Sequence, residues 1–100
     1  GCCLYAASKG AVVAFTRSLA LDLAPWIRVN CLCPGDVDTP LVEKQLAEGG
    51  YSRESMASVY PMGRIGKPEE AAHMICAILS PLNGFMTGAV VSVDGGLTAK

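Results

Sequence analysis

The 100-residue chain has one histidine, one tryptophan, 6% aromatics and no excess of charge of either sign. Eight Lys and Arg against nine Asp and Glu give a formal net charge of −1. The basic residues (Lys9, Arg17, Arg28, Lys44, Arg53, Arg64, Lys67 and Lys100) are scattered along the chain. A nucleic-acid surface needs a basic patch or stripe, and anionic membranes attract polybasic segments, so neither partner is expected. No apolar run approaches the ~20 residues of a membrane span. The start GCCLYAASK lacks the basic-then-apolar order of a secretory signal. The five cysteines are odd in number and contain no C-x-x-C pair, which argues against a disulfide framework and against zinc. A reducing, cytoplasmic setting follows as the expectation. His73 has no partner at zinc-like spacing and reads as a rim residue.

What is present is apolar. At 51% hydrophobic and 17% charged, the composition is that of a core-rich globular segment, and the length suits one domain. From Leu4 to about Ala24, Val12, Phe15, Leu19 and Leu23 recur at helical spacing, and Pro25 ends the pattern. Arg28–Cys33 reads as a buried strand stopped by Pro34-Gly35, with Cys31 and Cys33 on one face as small core residues. Residues 36–63 are irregular. Thr39-Pro40 starts a short helix to about Ala47, Gly49-Gly50 breaks it, and 53–59 adds a turn or two. Pro68-Glu69-Glu70 opens a helix to Leu79 whose apolar residues cover more than one face, so burial is expected. Ala89–Val93 forms a second strand, closed by Asp94-Gly95-Gly96. Near-continuous apolar strands joined through helices imply a parallel pair in an α/β sheet.

Tyr5 and Lys9 stand four residues apart at the start of the first helix, neighbours on one face. A free phenol titrates near pH 10, and both a nearby cation and a helix N-terminus favour its phenolate. Such a tyrosine can give a proton to a carbonyl or take one from an alcohol. By itself the motif also fits an exposed helix start with an ordinary lysine. Asp36 and Asp38 invite an acid/base or metal reading. No third oxygen ligand stands at suitable spacing, and aspartates in a Pro-Gly loop serve turns. Asp94 is read as ordering the final turn. Leu41, Leu46, Tyr51, Met56, Tyr60 and Met62 fit either a lid or packing against a sheet.

Taken together, the motifs carry a resemblance. Tyr5-x-x-x-Lys9, Arg28-Val29-Asn30, Pro34-Gly35-Asp36-Val37-Asp38-Thr39-Pro40, Gly63-Arg64-Ile65-Gly66-Lys67-Pro68-Glu69-Glu70, Thr87-Gly88 and Val93-Asp94-Gly95-Gly96 follow in order. The chain thereby resembles the C-terminal part of the short-chain dehydrogenase/reductase family, in its compact rather than extended branch. The resemblance implies an α/β fold: the C-terminal portion, residues 1–100, of a doubly wound, Rossmann-like parallel-sheet domain. Its order would be helix, strand, irregular helical lid at about 40–63, helix, strand.

It further implies hydride transfer between NAD or NADP and a secondary alcohol or ketone. Tyr5 would be the general acid or base, and Lys9 would lower its pKa and bind the nicotinamide ribose. Pro34, Gly35, Val37 and Thr39 would line the nicotinamide end, with Val37 giving backbone hydrogen bonds to the carboxamide. The implied partners are a small alcohol or carbonyl substrate and, as in the family, further subunits; no metal is implied. The family's glycine-rich turn, its NAD-or-NADP determinant and its catalytic serine precede the tyrosine, so the phosphate-binding half is expected to be absent here. The alternative is a truncated, non-catalytic chain acting by association with full-length relatives.

Overall fold

The computed structural model describes residues 1–99. Six elements order the chain: α1 (Cys3–Leu23), β1 (Cys31–Pro34), α2 (Pro40–Ala47), α3 (Arg53–Ser58), α4 (Pro68–Leu79) and β2 (Val90–Val93). Single 3-10 turns occupy Pro81–Asn83 and Leu97–Ala99. The strands β1 and β2 pair directly. The Cys31 N–H donates to the Ala89 carbonyl at 2.9 Å and the Gly35 N–H to the Val93 carbonyl at 3.1 Å. Both bonds join residues at the same offset, as a parallel ladder requires.

Two compact units make up the chain. The first comprises Gly1–Leu32 and Ala77–Val91. Its helix α1 ends where Ala24, ahead of Pro25, turns to extended backbone. The buried residues of α1 are small: Ala20, and Thr16, whose hydroxyl donates to the Val12 carbonyl at 2.8 Å. A Cβ at Gly88 would lie 3.5 Å from the Ala20 methyl, ordinary contact that only small residues permit. Val12 and Phe15, in the row expected from periodicity, are exposed.

Residues 28–30 depart from the expected strand. The Arg28 guanidinium donates to the carbonyls of Ile78 and Met86 at 3.0 Å and of Ser80 at 3.4 Å. Asn30 donates to the Met86 carbonyl at 3.1 Å and accepts from the Ala89 N–H at 3.0 Å. Here side chains do most of the fastening, beside one backbone bond from the Gly88 N–H to the Val29 carbonyl at 2.6 Å, and β1 begins at Cys31. Cys31 is buried and Cys33 half-buried.

The second unit comprises Cys33–Cys76 and the segment from Ser92 on, with Val42, Met56 and Tyr60 as its buried apolar residues. Pro40 occupies the first turn of α2 as expected, but the Thr39 hydroxyl makes no capping bond. Ser52 and Ser55 form a reciprocal capping box on α3, at 3.0 and 2.9 Å. Val37 forms a parallel bridge with Gly66. Asp94 closes the last turn by accepting from the Gly96 N–H and from the Thr98 N–H and hydroxyl.

The expected burial of α4 does not hold. None of its residues is buried, and Leu79 is 70% exposed. The pattern on α4 records what the helix can cover, while nothing in the sequence states which surface covers it. Among the described residues no helix is long and apolar enough to cross a membrane.

Candidate functional site

The first group of candidate residues lies on α1. Helical geometry brings Tyr5 and Lys9 onto one face, with the Lys9 ammonium 5.6 Å from the centre of the Tyr5 ring. That separation lies within cation–π range. Tyr5 is 67% exposed, so its phenol is open to a ligand. An accessible phenol with a cation against its ring is suited to proton exchange with an alcohol or carbonyl oxygen.

The second group is the loop that leaves β1. Gly35 passes close beneath a tyrosine: a Cβ there would lie 2.8 Å from Tyr60 Cε1 and 3.3 Å from Asp94 Cα. Beyond it the Asp36 carbonyl accepts from the Gly66 N–H at 2.8 Å, and the Asp38 N–H donates to the Gly66 carbonyl at 3.0 Å. These two bonds make the parallel bridge through residues flanking Val37. The N–H and C=O of Val37 itself stay outside it, and the Thr39 hydroxyl is not committed to a cap. Pro34 is exposed and Gly35, Val37 and Thr39 are half-buried. The loop therefore offers one backbone donor, one backbone acceptor and one hydroxyl in sequence. That set suits a primary amide, which presents both a carbonyl and an NH2.

A cavity of about 150 Å³ adjoins this loop in the second unit, bounded by Gly35, Val37, Tyr60, Met62, Lys67 and Asp94 among others. Arg64 and Glu70 also line it, joined by a two-pronged ion pair at 2.9 and 2.7 Å. The Arg64 guanidinium, with the Lys67 N–H donating at 2.8 Å, holds the Glu70 carboxyl at about 2.

Neither aspartate serves a turn, as the sequence had suggested. Asp36 accepts from the Tyr60 hydroxyl at 2.8 Å, and Asp38 pairs with Arg53 at 3.0 Å. The Tyr60–Asp36 and Arg64–Glu70 pairs escape the sequence reading. Only the i, i+6 spacing of Arg64 and Glu70 across a helix start hints at the second. No cluster of three or more His, Cys, Asp or Glu able to hold a metal occurs among the described residues.

A family model described as enoyl-(acyl carrier protein) reductase matches residues 1–98. The chain belongs to the short-chain dehydrogenase/reductase family. It is 44% identical over 97 residues to a short-chain dehydrogenase of Penicillium roqueforti, covering 96% of this chain and 35% of that protein. It is 46% identical over 94 residues to a 3-oxoacyl-[acyl-carrier-protein] reductase of Thermotoga maritima, covering 93% and 37%. The chain thus spans a little over a third of the length of these curated relatives.

Among solved structures, a C-terminal deletion mutant of Thermoplasma acidophilum aldohexose dehydrogenase superposes with a TM-score of 0.90 at 39% identity, over 100% of this chain and 47% of that one. The protein ElxO with NADP bound matches with a TM-score of 0.88 at 33% identity, over 97% and 40%. The α/β architecture is accordingly a part of the Rossmann-like fold of the short-chain dehydrogenases/reductases.

Proposed function

We propose that this chain is the C-terminal portion of a nicotinamide-dependent oxidoreductase that interconverts a secondary alcohol and a ketone with NAD or NADP. The observation that carries the reading is the Tyr5–Lys9 pair, one helical turn apart with cation against ring, within a family match over residues 1–98. Relatives named as 3-oxoacyl reductase and aldohexose dehydrogenase, and a relative with NADP bound, support the reaction class and cofactor. The donor set of the 34–39 loop fits the nicotinamide carboxamide.

When bound, the nicotinamide supplies or accepts the hydride. In reduction, the Tyr5 hydroxyl donates its proton to the substrate oxygen; in oxidation, the Tyr5 phenolate oxygen takes the proton from the alcohol. Lys9 stabilises that phenolate and binds the ribose hydroxyls. The Val37 N–H and C=O hold the carboxamide, with Thr39 beside them, while Pro34 and Gly35 shape the wall. Residues 40–63, carrying α2 and α3, act as the substrate lid. The phosphate-binding half is supplied by sequence outside this chain.

The test joins or co-expresses the chain with the N-terminal portion of a close relative. Reduced nicotinamide is then followed spectroscopically over a panel of ketones and 3-oxoacyl thioesters. Turnover supports the reading, and a folded, soluble assembly that neither binds nor consumes the cofactor overturns it.

A second reading rests on one observation. In the first unit Leu82 is 95% and Phe85 105% exposed, an apolar display suited to contact with another chain. On that reading the chain is non-catalytic and acts by association with full-length relatives. Mixing it with such a relative and measuring altered activity or assembly separates the two.

A further inference from the structure

Tyr60 is buried in the second unit, with its ring between two glycines. A Cβ at Gly35 would meet its Cε1 at 2.8 Å, and one at Gly95 would meet its Cβ and Cδ1 at 3.5 Å. Its hydroxyl bonds Asp36 twice, accepting from the Asp36 N–H at 2.7 Å and donating to Asp36 Oδ2 at 2.8 Å. Gly66 holds the Asp36 carbonyl from the other direction, at 2.8 Å. Asp36, the residue just before Val37, is therefore fixed at its N–H, its side chain and its carbonyl. Three such bonds leave the following residue little rotational freedom, and binding then loses less entropy.

We propose that Tyr60 is a positioning residue for the cofactor loop: its hydroxyl locks Asp36 so that the backbone N–H and C=O of Val37 are preset to bind an amide. This rests on the nicotinamide reading above. Tyr60 lies 24 residues from Asp36 in sequence, and its contribution is made through the backbone rather than by touching the ligand. Burial pushes the Tyr60 phenol above its ordinary value, so the hydroxyl keeps the proton it donates to Asp36.

The test uses Tyr60→Phe, which keeps the ring between the glycines and removes only the hydroxyl. In the 100-residue chain, amide hydrogen exchange of 34–39 should accelerate about tenfold, while exchange of 80–90, in the other unit, stays unchanged. In the assembled enzyme the KM for the dinucleotide should rise about five- to tenfold with kcat within twofold, as expected for losing one to two net hydrogen bonds. Asp36→Asn retains an acceptor and should stay near wild type. Asp36→Ala should fall between, and the Tyr60→Phe, Asp36→Ala double variant should match Tyr60→Phe alone, because the two groups act as one unit. Unchanged exchange at 34–39, an unchanged KM, or additive single variants would each overturn the positioning role. Absence of cofactor-linked turnover in the wild-type assembly would instead overturn the reading on which the role depends.

Discussion

Glu70 takes both prongs of the Arg64 guanidinium and a backbone N–H, and its carboxyl titrates at about 2 rather than 4.5 in consequence. A carboxyl lowered by folding contributes stability that is complete above its ordinary value and disappears as pH falls through the native one. The contribution of Glu70 is thus present above about 4.5 and lost on descent to about 2. Asp94, held low chiefly by the Thr98 hydroxyl, acts in the same direction. Between those limits the urea midpoint of the wild type should fall more steeply with acid than that of Glu70→Gln; parallel curves would show that the pair carries no linkage. At Gly35 the constraint is steric. A methyl group there meets Tyr60 Cε1 at 2.8 Å, so Gly35→Ala should cost about 1–3 kcal/mol in denaturant unfolding. Residue types were legible at this scale and their partners were not. Asp36 and Asp38 read as turn formers because the sequence shows local spacing only, whereas Tyr60 and Arg53 reach them through the fold of the segment between.

Among the elements, the helices were plain in the sequence because alanine runs, Pro25, Pro40 and Pro68 mark them with local chemistry. The strand β1 was misplaced by three residues for a physical reason. Arg28-Val29-Asn30 is apolar and polar in strand-like alternation, but the two polar side chains take up carbonyls in the last turn of α4 and in the segment after it. Arg28 satisfies the Ile78 carbonyl at the end of α4 and adds a second donor to the Ser80 carbonyl, which also accepts from the Asn83 N–H at 3.0 Å. Replacing it with Met retains bulk and removes three charge-assisted hydrogen bonds; the Ile78 carbonyl loses its donor, while Met86 keeps Asn30 and Ser80 keeps the Asn83 N–H. Arg28→Met should therefore destabilise the first unit by about 2–3 kcal/mol, read as earlier thermal unfolding and faster amide exchange over 77–91. Wild-type exchange in that segment would contradict it. The exposure of α4, which the sequence suggested would be buried, belongs to the same scale: hydropathy names a face and leaves its cover unspecified.

At the scale of the molecule, few described residues are buried, and large apolar side chains such as Leu79, Leu82 and Phe85 stand exposed in the first unit. Apolar surface of this kind promotes association. Sedimentation velocity should show concentration-dependent species above the 10.4 kDa monomer, diminished in a Leu82→Ser, Phe85→Ser variant. A monomer at every concentration would contradict this. The chain spans a little over a third of the length of its curated relatives, and the proposed function joins the Tyr5–Lys9 pair and the 34–39 loop in one oxidoreductase. The most direct measurement of that account is the turnover of reduced nicotinamide by the assembled enzyme carrying Tyr5→Phe, which removes one hydroxyl and preserves the ring beneath Lys9. Loss of the proton donor should lower kcat at least about a hundredfold with cofactor binding retained. Turnover within twofold of wild type would contradict the assignment of Tyr5 as the group that exchanges the proton.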